Sequence, residues 1–142
     1  MKFFKLRRVV VNFKANEAEN TTECRIVYRL ICNYGKESEI FKKEFKKILK
    51  RCTSLPGNNL EFTAVGIAKL SNEDTWDEAK GKEISRSKAE LQGARVLAIM
   101  CLEFSKYLDK LSGAVYETER QCASVEHEKT QFLKETFGKE LR

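Results

Sequence analysis

The stretch FTAVGIAKL (residues 62–70), SNEDTWD (71–77) and EAKGKEISRSKAE (78–90) decides how the chain is read. Phe62, Ala64, Gly66, Ala68 and Leu70 recur every second residue, which lays them on one face of a strand. The polar run that follows holds two overlapping capping boxes, Ser71-x-x-Asp74 and Thr75-x-x-Glu78. They predict a helix beginning near Thr75 or Trp76. A strand that feeds a helix N-terminus offers free backbone N–H groups to an anion. Lys69, Lys80, Lys82, Arg86 and Lys88 surround this corner and form a candidate phosphate clamp. Trp76, the one tryptophan, is a candidate stacking platform for a base or a lid on the core. The i,i+4 pairs Lys82–Arg86 and Arg86–Glu90 equally fit a solvated helix face.

Upstream, residues 3–13 alternate and contain three consecutive valines, and Cys24 to Cys32 alternates as well. Together they predict an antiparallel pair joined by a long polar loop over 15–23. On the second strand Cys24, Ile26, Tyr28, Leu30 and Cys32 share one face, and Arg25, Val27, Arg29 and Ile31 the other. After Gly35, with Ser38 as N-cap, the three- and four-residue steps of Ile40, Phe41, Phe45, Ile48, Leu49 and Cys52 predict an amphipathic helix over 37–52. Lys42, Lys43, Lys46, Lys47, Lys50 and Arg51 occupy its outer face. LPGNNL (55–60) reads as a turn, and the third strand spans about 61–70.

Downstream of Trp76 no strong breaker occurs before Ser112-Gly113, so the pattern predicts one long helix and a third helix over 114–137. A helix of that length overhangs a domain of this size. Its middle, ARVLAIMCL (94–102), is apolar nearly all round and asks for partners on every side, hence a homo-oligomer; a kink at Gly93 is the alternative. The expected fold class is α+β: a small antiparallel sheet of about three strands, an amphipathic basic helix and two C-terminal helices, the first long. A single domain is expected over 1–142, with the sheet and basic helix in 1–70 and the helical part in 71–142.

The formal net charge of +6 is unevenly spread: the first 51 residues carry +8 and the remainder −2. A localised basic surface facing an anionic partner follows. The five cysteines show neither disulfide-framework nor zinc spacing and read as small apolar fillers in a reducing compartment. No apolar run reaches the length of a bilayer span and the N-terminus lacks a signal-peptide core, so a cytoplasmic protein without a membrane partner is expected.

His127, the one histidine, lies in the charged segment VEHEK, which leaves Ser-His-Asp and Cys-His chemistry without a base. HExxH, CxxC and P-loop patterns are absent. The acidic group Glu73, Asp74, Asp77 and Glu78 suits capping better than a metal, so no metal, cofactor or catalytic residue is expected. For nucleic acid the candidate contacts are Arg7, Arg8, Arg25 and Arg29 on the sheet with Lys42, Lys43, Lys46, Lys47 and Lys50 on the basic helix. A lysine-dominated set touches phosphates rather than reading bases.

Gly66-x-Ala68-Lys69, Glu73-Asp74-x-Trp76-Asp77, Gly81, Ile84 and Lys88-Ala89 together resemble a pattern in small phage and prophage accessory proteins. Within that group the segment is similar to the phage Thoeris anti-defence sponges, which trap cyclic nucleotide signals without cleaving them. The resemblance implies a viral protein of the host-cell cytoplasm, homo-oligomeric, with an N-terminal antiparallel sheet followed by helices. It transfers no ligand-binding residue, and the basic helix placed before the third strand departs from the pattern. The first expectation is therefore a non-enzymatic phage-type protein that sequesters an anionic nucleotide-type ligand. The second is a sequence-tolerant nucleic-acid-binding accessory protein, or an inhibitor docked on a host nucleic-acid enzyme or defence protein.

Overall fold

Alternation of apolar and polar residues builds the sheet, and the computed structural model, which describes residues 4–32, 41–70 and 77–138, has three antiparallel strands in the order β1-β2-β3. They are β1 (Phe4–Asn16), β2 (Thr21–Cys32) and β3 (Glu61–Lys69), with α1 (Lys42–Cys52) before β3 and α2 (Glu78–Phe137) after it. The fold class is α+β. On β2 the buried residues are Thr22, Cys24, Ile26, Tyr28 and Leu30, and on β3 they are Phe62, Ala64, Gly66 and Ala68. Both strands turn this face toward the helices and the other to the outside.

The β1–β2 connection is tighter than the polar loop expected over 15–23. Its 3-10 turn covers only Glu17–Glu19, where the Asn16 carboxamide oxygen accepts the Glu19 N–H at 3.3 Å. Asn20, at φ 51°, closes the turn in the left-handed region that asparagine tolerates. Polar residues here belong to the strands themselves: Ala15 pairs with Thr22 and Asn16 with Thr21. A register shift between Arg8 and Val10 makes Val9 the extra residue of a β-bulge. Strict alternation along β1 therefore fails at Val9, and Phe4, Leu6 and Arg8 share a face with Val11 and Phe13.

The first part of α2 lies close against the sheet because its inward stripe is built of small residues. Gly81, Ser85, Ala89 and Gly93 recur every four residues and are all buried. A Cβ placed on Gly66 would sit 2.0 Å from the Ser85 carbonyl oxygen and 2.5 Å from the Ala89 nitrogen, so strand and helix backbones meet there. A Cβ on Gly93 would meet the Tyr28 ring at 2.6 Å. Gly93 is thus a docking position for an aromatic ring and produces no break in α2. Further along, Val96, Met100 and Phe104 replace the small residues. Phe104 packs edge-to-face on Phe45 of α1 (centroids 4.7 Å), on Phe4 of β1 (5.7 Å) and on Phe41 (5.4 Å). This phenylalanine cluster joins β1, α1 and α2.

The edge of β3 is covered at several points. Thr63 N–H donates to Leu55 O at 3.0 Å and Glu61 O accepts Gly57 N–H at 2.7 Å. Beyond them Val65 N–H donates to the Gln92 Oε1 at 2.6 Å and Ile67 O accepts from Lys88 Nζ at 3.0 Å. Side chains of α2 thus satisfy backbone groups that an edge strand otherwise offers to other chains.

Two expectations about the helices change. α2 runs without interruption through Ser112-Gly113, so the third helix expected over 114–137 is its continuation. A single glycine costs a helix about 1 kcal/mol relative to alanine, and no proline stands beside it to force a stop. The stop comes at Gly138, whose φ of +62° and N–H donated to Lys134 O at 2.8 Å form a left-handed cap. At the other end α2 begins at Glu78, and the Asp77 carboxylate accepts the Lys80 N–H at 3.1 Å. The residues Ser71, Asp74 and Thr75 of the expected capping boxes, with Glu73 and Trp76, lie outside the described residues, as do Ser38 and Ile40 of the basic helix. Contacts within the chain cluster into two units, Met1–Phe104 and Ser105–Arg142.

Gly66→Ala should destabilise the protein by about 3 kcal/mol or more in urea titrations, because backbone cannot yield as a side chain can. Gly113→Ala, with no atom within 4 Å of the added methyl, should instead leave the sheet unit unchanged and raise helix content by about 1 kcal/mol of local stability.

Candidate anion-binding surface

The basic residues divide into those that carry an acidic partner and those that do not. On α2, Lys82 pairs with Glu78 at 3.3 Å and Arg86 with Glu90 at 3.2 Å, both one helical turn apart. Lys82 also stands 5.7 Å from the Phe13 ring centroid of β1. Arg8 reaches Glu90 at 3.4 Å from the helix-facing side of the sheet, so it does not share a surface with Arg7. Lys88 is spent on the β3 edge, and Lys69 lies on the outward face of the sheet opposite Thr21. Lys69, Lys82, Arg86 and Lys88 thus face three different surfaces and do not converge. Lys80 is exposed in the first turn of α2, and Trp76 lies outside the described residues.

The acidic group near the start of α2 is engaged locally where it is described: Asp77 caps the helix and Glu78 pairs with Lys82. Among the described residues no three His, Cys, Asp or Glu side chains gather in a way that could hold a metal ion. His127 is exposed. Among the same residues no helix is long and apolar enough to cross a membrane.

α1 is different. Phe45, Ile48 and Leu49 are buried, which fixes the orientation of the helix. Lys42, Lys46 and Lys50 then line one side at i,i+4 steps, and Lys43, Lys47 and Arg51 the other. None of these cations has a carboxylate partner among the described residues. Like charges at i,i+4 cost about 0.2–0.5 kcal/mol per pair, so the four pairs weaken α1 by roughly 1–2 kcal/mol. The phenylalanine and aliphatic contacts of Phe45, Ile48 and Leu49 outweigh that repulsion.

The row Lys42, Lys46, Lys50 faces the turn that follows α1. Asn59 and Leu60 both have positive φ, 50° and 65°. The left-handed region suits asparagine but costs a leucine about 1–2 kcal/mol. The turn is held by Glu61 N–H on Asn58 O at 3.1 Å and Leu30 N–H on Leu60 O at 2.9 Å. Between helix and turn lies a cleft of about 220 Å³ lined by Lys46, Lys50, Asn58 and Asn59. An adjoining cleft of about 270 Å³ is lined by Lys42, Arg29, Asn58, Asn59 and Glu61. Asn58, Asn59 and Leu60 line both, so the two make one groove with Lys42, Lys46, Lys50 and Arg29 along it. Arg29 donates its Nε to Glu61 Oε1 at 3.0 Å, which leaves the three lysines as the unneutralised charge.

Arg29 also belongs to the outward sheet face, directly across from Arg7, while Arg25 lies opposite Asn12. Lys5, Arg7 and Lys14 on this face have no acidic partner among the described residues, and Arg25 pairs with Glu23 at 3.3 Å. Among the described residues the face carries Val10, Val27, Val65 and Ile67 between its charges and no aromatic ring, since Phe13, Tyr28 and Phe62 turn toward the helices. Sequence reasoning put the lysines on a helix and Arg25 and Arg29 on a strand, where α1 and β2 carry them, and read LPGNNL (55–60) as a turn. It did not show that this turn and α1 line a common groove, because that needs the tertiary contact of Leu30 N–H with Leu60 O.

Burial pushes the thiols of Cys24 and Cys52 above the ordinary thiol range, with the Arg86 charge opposing the rise at Cys24 and the Arg51 charge at Cys52. The Tyr28 hydroxyl is likewise raised, chiefly by burial. A scan of protein-family models, a search of curated proteins and a search of solved structures each return no match to this chain.

For Cys24 and Tyr28 the folded state holds its proton more tightly than the unfolded one. Their contribution to stability is therefore complete below the unfolded value and is lost as pH rises past it. Denaturation midpoints should be flat between pH 7 and 8 and fall above about pH 8.5–10; Cys24→Ala should reduce the slope of that fall.

Proposed function

We propose that this chain is a non-enzymatic, sequence-tolerant nucleic-acid-binding protein that holds the phosphate backbone along the groove between α1 and the Asn58–Leu60 turn. The observation that carries the reading is the row Lys42, Lys46, Lys50, three cations left without acidic partners among the described residues on a helix that their mutual repulsion weakens. An anionic ligand relieves that repulsion, and free energy withheld from folding becomes available to binding. The outward sheet face with Lys5, Arg7, Arg25 and Lys14 extends the same footprint by way of Arg29, which belongs to both surfaces.

Lysine contributes a flexible point charge rather than a planar fork, so the groove suits phosphate contact without bidentate base reading. Nucleotide sequestration by the strand–helix corner has less support, because Lys82 and Arg86 are paired with Glu78 and Glu90 and the Lys88 ammonium is turned to the Ile67 carbonyl on the β3 edge.

Fluorescence anisotropy with labelled duplex and single-stranded oligonucleotides of unrelated sequence tests the proposal. Affinity should differ little between sequences. Log K should fall with log salt with a slope of about −3 for three to four phosphate contacts. Each of Lys42→Ala, Lys46→Ala and Lys50→Ala should flatten the slope by about 0.7–0.9, whereas Lys82→Ala should leave it unchanged. Absence of binding at low salt, or binding indifferent to salt, rejects the groove; heat on mixing with cyclic nucleotides alone would favour sequestration instead.

A further inference from the structure

Residues 105–137 of α2 bury almost nothing: apart from Tyr107, Thr130 and Leu133, each of half-buried rank, every residue is exposed. Helices in proteins owe most of their stability to packing of an apolar face, and a helix without it is marginal in water. Along this part of α2 the positions 108, 111, 115, 118, 122, 125, 129 and 132 step alternately by three and four. They hold Leu108, Leu111, Val115, Thr118, Cys122, Val125, Lys129 and Phe132. A spacing of 3.5 makes a single narrow seam, the pattern of a helix that winds around another helix. In heptad terms Leu108, Val115, Cys122 and Lys129 are a positions, and Leu111, Thr118, Val125 and Phe132 are d positions. Leu108 is 40% exposed, Val115 64%, Val125 53% and Phe132 58%.

From this seam we infer that residues 108–132 form one strand of a parallel, in-register, two-stranded coiled coil with a second copy of the chain. The two polar d and a residues fit that arrangement. The Thr118 hydroxyl donates to Ala114 O at 3.1 Å, so closing the seam strands no donor. Lys129 is the one charged residue in the seam and has no acidic partner in its own chain among the described residues. A lone lysine at an a position fixes register and strand number at some cost in stability. Its flanks are Glu126 and Glu128. In a parallel pair in register, each Lys129 lies beside the partner copy's acidic flank. In the antiparallel pairing that aligns Val115 with Val125, Lys129 lies opposite Leu111, whose e and g neighbours are Ser112 and Ala114 rather than acids. Charge complementarity therefore selects a second copy in the parallel sense. Gln121, Cys122, Val125 and Glu126 line a shallow concavity that lies over the seam positions Cys122 and Val125. The interface thus lies further along α2 than the apolar segment 94–102 from which an oligomer was expected.

Sedimentation of the full chain at tens of micromolar should give twice the 16.4 kDa of one copy. Leu111→Glu combined with Val125→Glu should halve the mass, while Arg120→Ser, on the opposite side of the helix, should leave it doubled. Near-UV circular dichroism unchanged in the double variant shows that the sheet unit remains folded. Orientation is read in a background where Cys101 and Cys122 are serine. There Lys129→Cys should add a covalent dimer band with a short bismaleimide. An antiparallel pair holds the two thiols about 27 Å apart along the axis, at 1.5 Å per residue. A single-copy mass, or a doubled mass that survives Leu111→Glu with Val125→Glu, overturns the seam. A doubled mass without the Lys129→Cys cross-link overturns the parallel register.

Discussion

The contact on which the other features rest is the meeting of two backbones, β3 at Gly66 with α2 at Ser85 and Ala89. Side-chain layers normally separate a helix from a sheet; here Gly81, Ser85, Ala89 and Gly93 remove that layer over about three turns. The close approach brings Gln92 and Lys88 within reach of the backbone of β3, where longer spacing would leave them in solvent. It also leaves room for Tyr28 only where Gly93 opens a gap. Where the small stripe ends, Val96, Met100 and Phe104 refill the space and the phenylalanine cluster takes over as the adhesive between β1, α1 and α2.

Because α2 sits this low on the sheet, its flanking charges are used up locally. Lys82, Arg86 and Arg8 meet Glu78 and Glu90, a small network that joins α2 to β1. Such exposed pairs each contribute under about 1 kcal/mol, but they remove positive potential from that side. Among the described residues the cations of α1, with Lys5, Arg7 and Lys14 of the outward sheet face, keep no acidic partner. Segregation of this kind matters more for function than the net charge of +6, since a field acts on a ligand only where it is not cancelled.

Much of this was legible in the sequence, and the failures have identifiable causes. Period-two patterning shows the strands β2 and β3 and their faces, because the inward positions from Cys24 to Leu30 and from Phe62 to Leu70 are all apolar or glycine while the polar residues fall on the outward ones, with Val27, Val65 and Ile67 as the apolar exceptions there. The bulge at Val9 hid inside three valines that read equally well in either register. Ser112-Gly113 looked like a stop, yet a helix ends when its last carbonyls find a cap, and Gly138 supplies one while Gly113 does not. Of the candidate site, the lysines of α1 were visible as a helix face. Their pairing status was not, because it depends on acids brought near by tertiary contact. The corner at residues 69–88 looked like a clamp in one dimension because linear proximity conceals that Lys82 and Lys88 leave α2 on different sides.

The covered stretch of the β3 border has a bearing on how this sheet behaves in a crowded solution. Leu55, Gly57, Lys88 and Gln92 hold backbone groups of Glu61, Thr63, Val65 and Ile67, so a foreign strand pairing there must first displace them. Along β1 the kink at Val9 and the charges of Lys5, Arg7 and Lys14 interrupt a flat ribbon. Strand addition is thereby disfavoured at both margins, which works against polymerisation of the folded chain.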